Sequence, residues 1–155
     1  MTTIRQATED DIPSLALLSG ELGYETTEEE VAARFRLLRE KPDHGICVAE
    51  EGGAVLGFVS FERYDTIYFD SGLNLTGLVV SEGARNKGIG RQLLEAAEAY
   101  AAGEGLKFLR LNSGAQRLEA HRFYRNRGFD NEKDQKRFIK PIVLRSLEAL
   151  NQKDL

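Results

Sequence analysis

Apolar positions along the chain recur at two different intervals, and the alternation between them outlines the elements. Ile12, Leu15, Leu18 and Leu22 follow each other at three and four residues, the period of a helix with one buried face. Thr8-Glu9-Asp10-Asp11 precedes them as a capping box, a hydroxyl followed three residues on by a carboxylate, and Gly23 ends the run. Thr27-Glu28-Glu29-Glu30 repeats the device ahead of Val31, Phe35 and Leu38, and Pro42 stops that second helix. Ile46 to Glu50 and Ala54 to Arg63 read as two antiparallel strands around Glu51-Gly52-Gly53, because paired glycines permit the positive φ of a hairpin turn. Leu73 to Val80 predicts a third strand. Ile89 to Ala102 predicts a helix with Ile89, Leu93, Leu94, Ala97 and Tyr100 on one side, and Lys107 to Asn112 a short strand. Strand, helix and strand imply a parallel crossover. Leu118 to Asn126 predicts a further helix closed by Gly128, Lys136 to Ile139 a last strand before Pro141, and Ile142 to Leu150 a helical tail.

Length and composition limit what such a chain can be. At 155 residues, 41% hydrophobic and 30% charged, it suits one domain, and no linker, repeat or change of composition divides it. The expectation is a single domain over residues 1–155, with 142–155 a helical extension. No apolar run approaches the roughly 20 residues of a membrane helix, and Met1 to Asp11 lacks the apolar stretch and basic flank of a signal peptide, so a soluble cytoplasmic protein is expected. The one cysteine, Cys47, lies in an apolar strand and reads as an inert thiol; without Cys or His partners at zinc spacing, neither a disulfide scaffold nor a structural metal is expected. Net charge is −4, divided into −9 over residues 1–72 and +5 over residues 73–155. The basic half suits a polyanion and the acidic half mildly favours a cationic partner, although screening over about 8–10 Å limits distant charges. The acidic total and the scattered bases argue against duplex nucleic acid.

The segment Leu75 to Arg91 carries the strongest chemical signal: a strand, then a basic loop with Gly83, Gly88 and Gly90, then a helix start. Free N–H groups and the positive dipole end of a helix attract anions, and small residues let phosphate oxygens approach them. Three phosphate-binding patterns compete. The nucleoside-triphosphate loop requires Gly-Lys-Ser/Thr, but Gly88 is followed by Ile89-Gly90. The dinucleotide fingerprint requires a third small residue where Leu93 stands, and the strand Lys107 to Asn112 ends without a ribose-binding acid. Arg85-x-x-Gly88-x-Gly90 instead resembles the R/Q-x-x-G-x-G/A signature of the GNAT N-acetyltransferase superfamily. Ala120-His121-Arg122-Phe123-Tyr124-Arg125-Asn126-Arg127-Gly128-Phe129 is similar to that family's Ala-x-x-x-Tyr-x-x-x-Gly-Phe helix, and the resemblance extends from Ile4 to about Lys140.

The resemblance implies an α/β GNAT-like fold, with a mixed twisted sheet whose central parallel strands splay apart and are flanked by helices. It implies acetyl-CoA as acyl donor without a metal, and a primary amine, on a small molecule or a protein, that attacks the thioester directly. Pyrophosphate is expected on Arg85, Asn86, Lys87, Gly88, Ile89, Gly90 and Arg91, with the pantetheine arm along Leu78, Val79 and Val80. A backbone N–H near Val79 and Val80 can serve the oxyanion. Tyr124 matches the family's general acid, and a phenol with pKa near 10 keeps its proton at neutral pH. The base is left among Glu62, Asp70 and Glu25, acids near predicted strand or loop edges. Asn112 at its strand end can contact pantetheine amides or a water; His121, three residues before Tyr124, reads as a surface residue; and Phe123 and Phe129 read as core. Two departures stand out: Arg117 where the family commonly has Asn, so that its pantetheine or phosphate contact is an expectation only, and Glu82 where it often has Pro, expected to point outward. The resemblance also makes a homodimer a candidate assembly. The rivals are a non-catalytic acyl-CoA sensor, which would not need Tyr124, and a nucleotide-phosphate enzyme, which lacks its Lys-Ser/Thr.

Overall fold

The computed structural model describes residues 1–143, in two units that divide between Gly114 and Ala115. The first unit holds a five-stranded sheet in the order β1 (Thr3–Gln6), β2 (His44–Glu51), β3 (Ala54–Tyr64), β4 (Gly72–Val80) and β5 (Leu109–Leu111). The first four strands are antiparallel neighbours and β5 runs parallel to β4, as a strand–helix–strand crossover requires. Helices α1 (Ile12–Leu22) and α2 (Glu28–Arg39) bury Ile12, Leu15, Leu18 and Phe35 against Val48, Phe58 and Val79 on one sheet face. Alternation sends Val59 and Phe61 to the other face, where the Phe61 ring meets Tyr100 of α3 (Ile89–Gly103) at 4.9 Å. Leu93, Leu94, Ala97 and Ala101 are the buried stripe of that helix. The second unit contains α4 (Leu118–Asn126), with the bounds its sequence predicts.

Local chemistry accounts for most element ends. Thr27 and Glu30 close the expected capping box reciprocally, at 3.1 and 3.0 Å. Between β2 and β3, Gly52 and Gly53 both take positive φ, 59° and 83°, giving a two-residue hairpin. Thr8 and Asp11 also pair, but over a single 3-10 turn, Glu9–Asp11, that leads into α1. Three expectations change. Lys136 to Ile139 forms no strand: charged residues surround Phe138 and Ile139, which are 88% and 70% exposed, so no apolar face is available to bury. The strand expected over Lys107 to Asn112 keeps only Leu109–Leu111, because β4 pairs with it only at Leu73, Asn74 and Leu75. Of the expected helical tail, Ile142 and Val143 are irregular and 144–155 lie outside the described residues. No helix among the described residues is long and apolar enough to cross a membrane.

Asp11 is the only charged residue buried among those described, 4% exposed, and it takes both Nη atoms of Arg5 at 2.8 and 2.9 Å while accepting from the Thr8 amide. Removing one partner leaves the other ion poorly solvated. Asp11→Ala should therefore cost about 2–3 kcal/mol in denaturant unfolding, less than a fully buried pair, because Arg5 is partly exposed and keeps Glu50 at 2.9 Å. Arg5 holds the Asp11 carboxyl below its ordinary value. The contribution should thus be complete above about pH 4 and lost as pH falls through the lowered folded value. A wild-type–variant difference that stayed constant down to pH 2 would contradict this.

Candidate active site

β4 changes its hydrogen-bonding direction halfway along. Below the midpoint, the Leu73 amide donates to Phe108 on the β5 side at 2.8 Å; above it, the Ser81 amide donates to Leu56 on the β3 side at 2.7 Å. Residues eight apart in a regular strand would point the same way. The switch comes from an extra residue at Thr76, since Ser60 pairs with Gly77 but Phe61 pairs with Leu75. Beyond this bulge the amides of Gly77, Val79 and Ser81 face β3, and those of Leu78 and Val80 face the side where β5 no longer pairs. The splay thus leaves an open strand edge at two of the three expected pantetheine positions, while Val79 turns its backbone toward β3 and its side chain into the core.

The open edge leads into an anion cradle. After a 3-10 turn at Glu82–Ala84, Asn86 and Gly88 take positive φ, 65° and 80°, and Gly88 caps α3 without a side chain. Gln92 makes the first bond back to Gly88, so the Ile89, Gly90 and Arg91 amides precede the helical ladder and belong to the positive end of its dipole. Arg85 donates from Nε to the Val80 carbonyl at 3.2 Å, which fixes the loop on the strand. Arg91 lies 3.6 Å from Glu95, while Lys87 is exposed with no ion-pair partner among the described residues. Glu82 is exposed, as expected, and its amide donates to Glu21 at 3.0 Å. A strand edge with free amides, continued by a helix N-terminus, suits a ligand with an extended amide-bearing arm joined to phosphate.

The other candidates are spread more widely. Glu62 is half-buried on β3, opposite His44 and Asn74. Asp70 is exposed in the segment before β4, and Glu25 is exposed before α2; neither makes an ion pair or hydrogen bond among the described residues. Asn112, exposed past the end of β5, accepts from Arg110 at 3.3 Å. Burial pushes up the pKa of Cys47, half-buried on β2, so it stays a thiol at neutral pH.

In the second unit, Tyr124 gains its setting from a helix ending. Phe129 N–H donates to the Tyr124 carbonyl at 3.1 Å and Gly128 N–H to Arg125 at 3.1 Å, with Gly128 at φ 96°. This is a Schellman cap, and its hydrophobic contact brings the Phe129 ring 5.6 Å from Tyr124. The Tyr-x-x-x-Gly-Phe spacing is therefore a device that stops the helix and packs a ring on the tyrosine. Phe123 lies on another side at 5.6 Å; both phenylalanines are half-buried, not fully core. Burial raises the Tyr124 pKa above 10, against a smaller opposing effect of the Arg117 charge, so its proton is held through the neutral range. Arg117 is the exposed residue preceding α4.

Sequence reasoning did not find the Thr76 bulge, nor the row that pairs Glu62 with Asn74 and Asn74 with Arg110 across β3, β4 and β5. The row had a usable signal: Phe108, Arg110 and Asn112 alternate with Leu109 and Leu111, so one face of β5 is polar and aromatic.

Residues 10–129 match the sequence model of the Acetyltransferase (GNAT) family. An uncharacterized N-acetyltransferase of Bacillus subtilis, YhdJ, is 30% identical over 131 residues, covering 84% of this chain and 89% of that protein. An aminoalkylphosphonate N-acetyltransferase of Salmonella typhimurium is 30% identical over 132 residues, covering 81% and 83%. Among solved structures, an aminoglycoside N-acetyltransferase in complex with CoA superposes with a TM-score of 0.82 at 16% identity, covering 92% of this chain and 96% of that one, a likeness of fold.

Proposed function

Because the chain belongs to the acetyltransferase (GNAT) family and is an acetyl-CoA-dependent N-acetyltransferase, we propose that it moves the acetyl group onto a primary amine by direct attack on the thioester, using the splayed edge of β4 and the α3 cradle. The observation that carries this reading is the reversal at Thr76, which frees the Leu78 and Val80 amides in line with the helix N-terminus. The residues fit the donor in chemistry. Amides along Leu78 and Val80 would pair with the pantetheine arm; backbone N–H groups from Asn86 to Arg91, with Lys87 and Arg85 nearby, would hold the pyrophosphate. Asn112 would add a polar contact at the strand end, and Arg117 a charge toward phosphate. One of the freed amides, preorganised by the strand, would stabilise the oxyanion.

Each proton then has a place to go. An amine arrives as ammonium and must lose a proton before attack; Glu62, half-buried on the sheet, is the better acceptor, and Asp70, exposed, could serve only through water. The amine nitrogen would bond to the acetyl carbon as the carbon–sulfur bond breaks; Tyr124 would give its proton to the departing thiolate, and the second proton of the acylated nitrogen would pass through water to restore the tyrosine hydroxyl. The Salmonella relative is named for an aminoalkylphosphonate, which supports a small-molecule amine acceptor. A single domain over 1–155, a cytoplasmic setting and a homodimer belong to the same proposal.

Thermal unfolding with acetyl-CoA, ATP and NAD tests the donor. Acetyl-CoA at about 100 times its dissociation constant should add roughly 2.7 kcal/mol, with ATP and NAD adding much less. No shift with acetyl-CoA, from a folded sample, would remove the cradle from the reading.

A further inference from the structure

From the row of side chains across the sheet, we infer that the acceptor amine carries an anionic group, carboxylate or phosphonate, and that Arg110 on β5 selects it. The inference rests on the acetyltransferase reading above and specifies its acceptor. Residues paired directly across strands share a face. His44 on β2 pairs with Glu62 on β3, Glu62 with Asn74 on β4, and Asn74 with Arg110 on β5. Glu62 lies four residues from Phe58 on one regular strand, so the row is on the face that α1 and α2 cover further along. That face is apolar at Phe58 and turns polar at Ser60 and Glu62, beside the point where β4 and β5 part.

Arg110, like Arg85 on the Val80 carbonyl, is held by neutral groups. Arg5, Arg36, Arg63 and Arg125 each take a carboxylate at 2.7 to 2.9 Å. Arg110 takes two neutral oxygens instead: its Nη1 donates to Asn74 at 2.7 Å and its Nη2 to Asn112 at 3.3 Å, while its guanidinium lies 4.5 Å from the Tyr64 ring centroid. No carboxylate pairs with it among the described residues, although it is half-buried. A guanidinium has five N–H donors, so three are left over. Amide oxygens and a ring orient the fork without cancelling its charge, which is the arrangement that recognises an anion. Tyr64 and Phe69, each set edge-on to Phe108 at 6.3 and 6.2 Å, form an aromatic group at the Arg110 end of the row.

Glu62 and Arg110 sit two strands apart, roughly 10 Å between backbones, so their side chains can face the two ends of one small zwitterion. The ammonium would lie toward Glu62 and the anion toward Arg110. This local cation outweighs the acidic count of the first half of the chain, because distant exposed charges are screened over about 8–10 Å while a half-buried donor at contact is not.

Matched acceptors test the inference: 2-aminoethylphosphonate and β-alanine against ethanolamine, which lacks the anion, and putrescine, which carries a second cation. Wild type should favour the two anionic amines in kcat/KM by about tenfold or more, in keeping with the strength of a charge-assisted hydrogen bond. Arg110→Gln should abolish the preference mainly through KM, and Arg110→Lys should restore part of it. The phosphonate and carboxylate arms separate the two anions. Preference of wild type for ethanolamine or putrescine, a preference untouched by Arg110→Gln, or no turnover of any of the four by a protein that acetyl-CoA stabilises would each overturn the inference. Loss of stabilisation by acetyl-CoA itself would instead overturn the donor site. Should Arg110→Gln fail to fold, the wild-type comparison still decides.

Discussion

Tyr124→Phe is expected to lower kcat by on the order of 10² to 10⁴, the usual worth of a positioned general acid, while leaving acetyl-CoA binding unchanged. Phenylalanine retains the ring that meets Phe123 and Phe129 and removes only the hydroxyl. Stability should therefore change by less than about 1 kcal/mol, since the Schellman cap depends on backbone bonds and on Gly128. Burial raises the Tyr124 pKa, so the wild-type rate should show no loss of the acid until above pH 10, and the variant should lack that alkaline limb. Full acetyl transfer by a variant that binds cofactor normally would sink the assignment. Stabilisation by acetyl-CoA without turnover on any amine class would favour the sensor.

The second large effect is expected at Gly88. Its φ of 80° is a left-handed conformation that costs an L-residue about 1–2 kcal/mol, and a β-branched side chain more. Space is not the difficulty, because a Cβ there would meet Arg91 Nη2 at an ordinary 3.5 Å. Gly88→Val would escape the strain by turning the backbone, and the amides that begin α3 would then point elsewhere. Acetyl-CoA affinity should fall about a hundredfold, equivalent to roughly 2.7 kcal/mol. The control is Asn86→Gly, which places glycine at φ 65° and should bind as wild type does. Equal affinity in Gly88→Val and wild type, read by calorimetry, would mean that pyrophosphate is not held at this helix end.

Much of the fold could be read directly from the chain, and the reason differs between elements. The helix α4 ends where Gly128 was expected to end it, because a C-cap is settled by residues within one turn. The same holds for Thr27 and Glu30, three residues apart, and for the Gly52-Gly53 turn. Lys136 to Ile139 failed because two apolar residues before a proline do not make a strand: it needs a neighbouring edge and an apolar face to cover, and the exposed Phe138 and Ile139 have none. The Arg5–Asp11 pair spans only six residues, yet the expected capping box explained Asp11 fully and hid its second partner.

At the candidate site the division is sharper. The residue types of the cradle and of the tyrosine helix, their glycines and their spacings are determined by the sequence itself, since each acts through its own local backbone. Which amides of β4 are free, and which side chains stand beside Glu62, were decided only in the tertiary structure. Both follow from register: one extra residue at Thr76 reverses the direction of every later amide, and pairing across β2 to β5 brings His44, Glu62, Asn74 and Arg110 into one row from positions up to 66 residues apart. A register is a property of two or more strands at once, so no window along a single strand contains it.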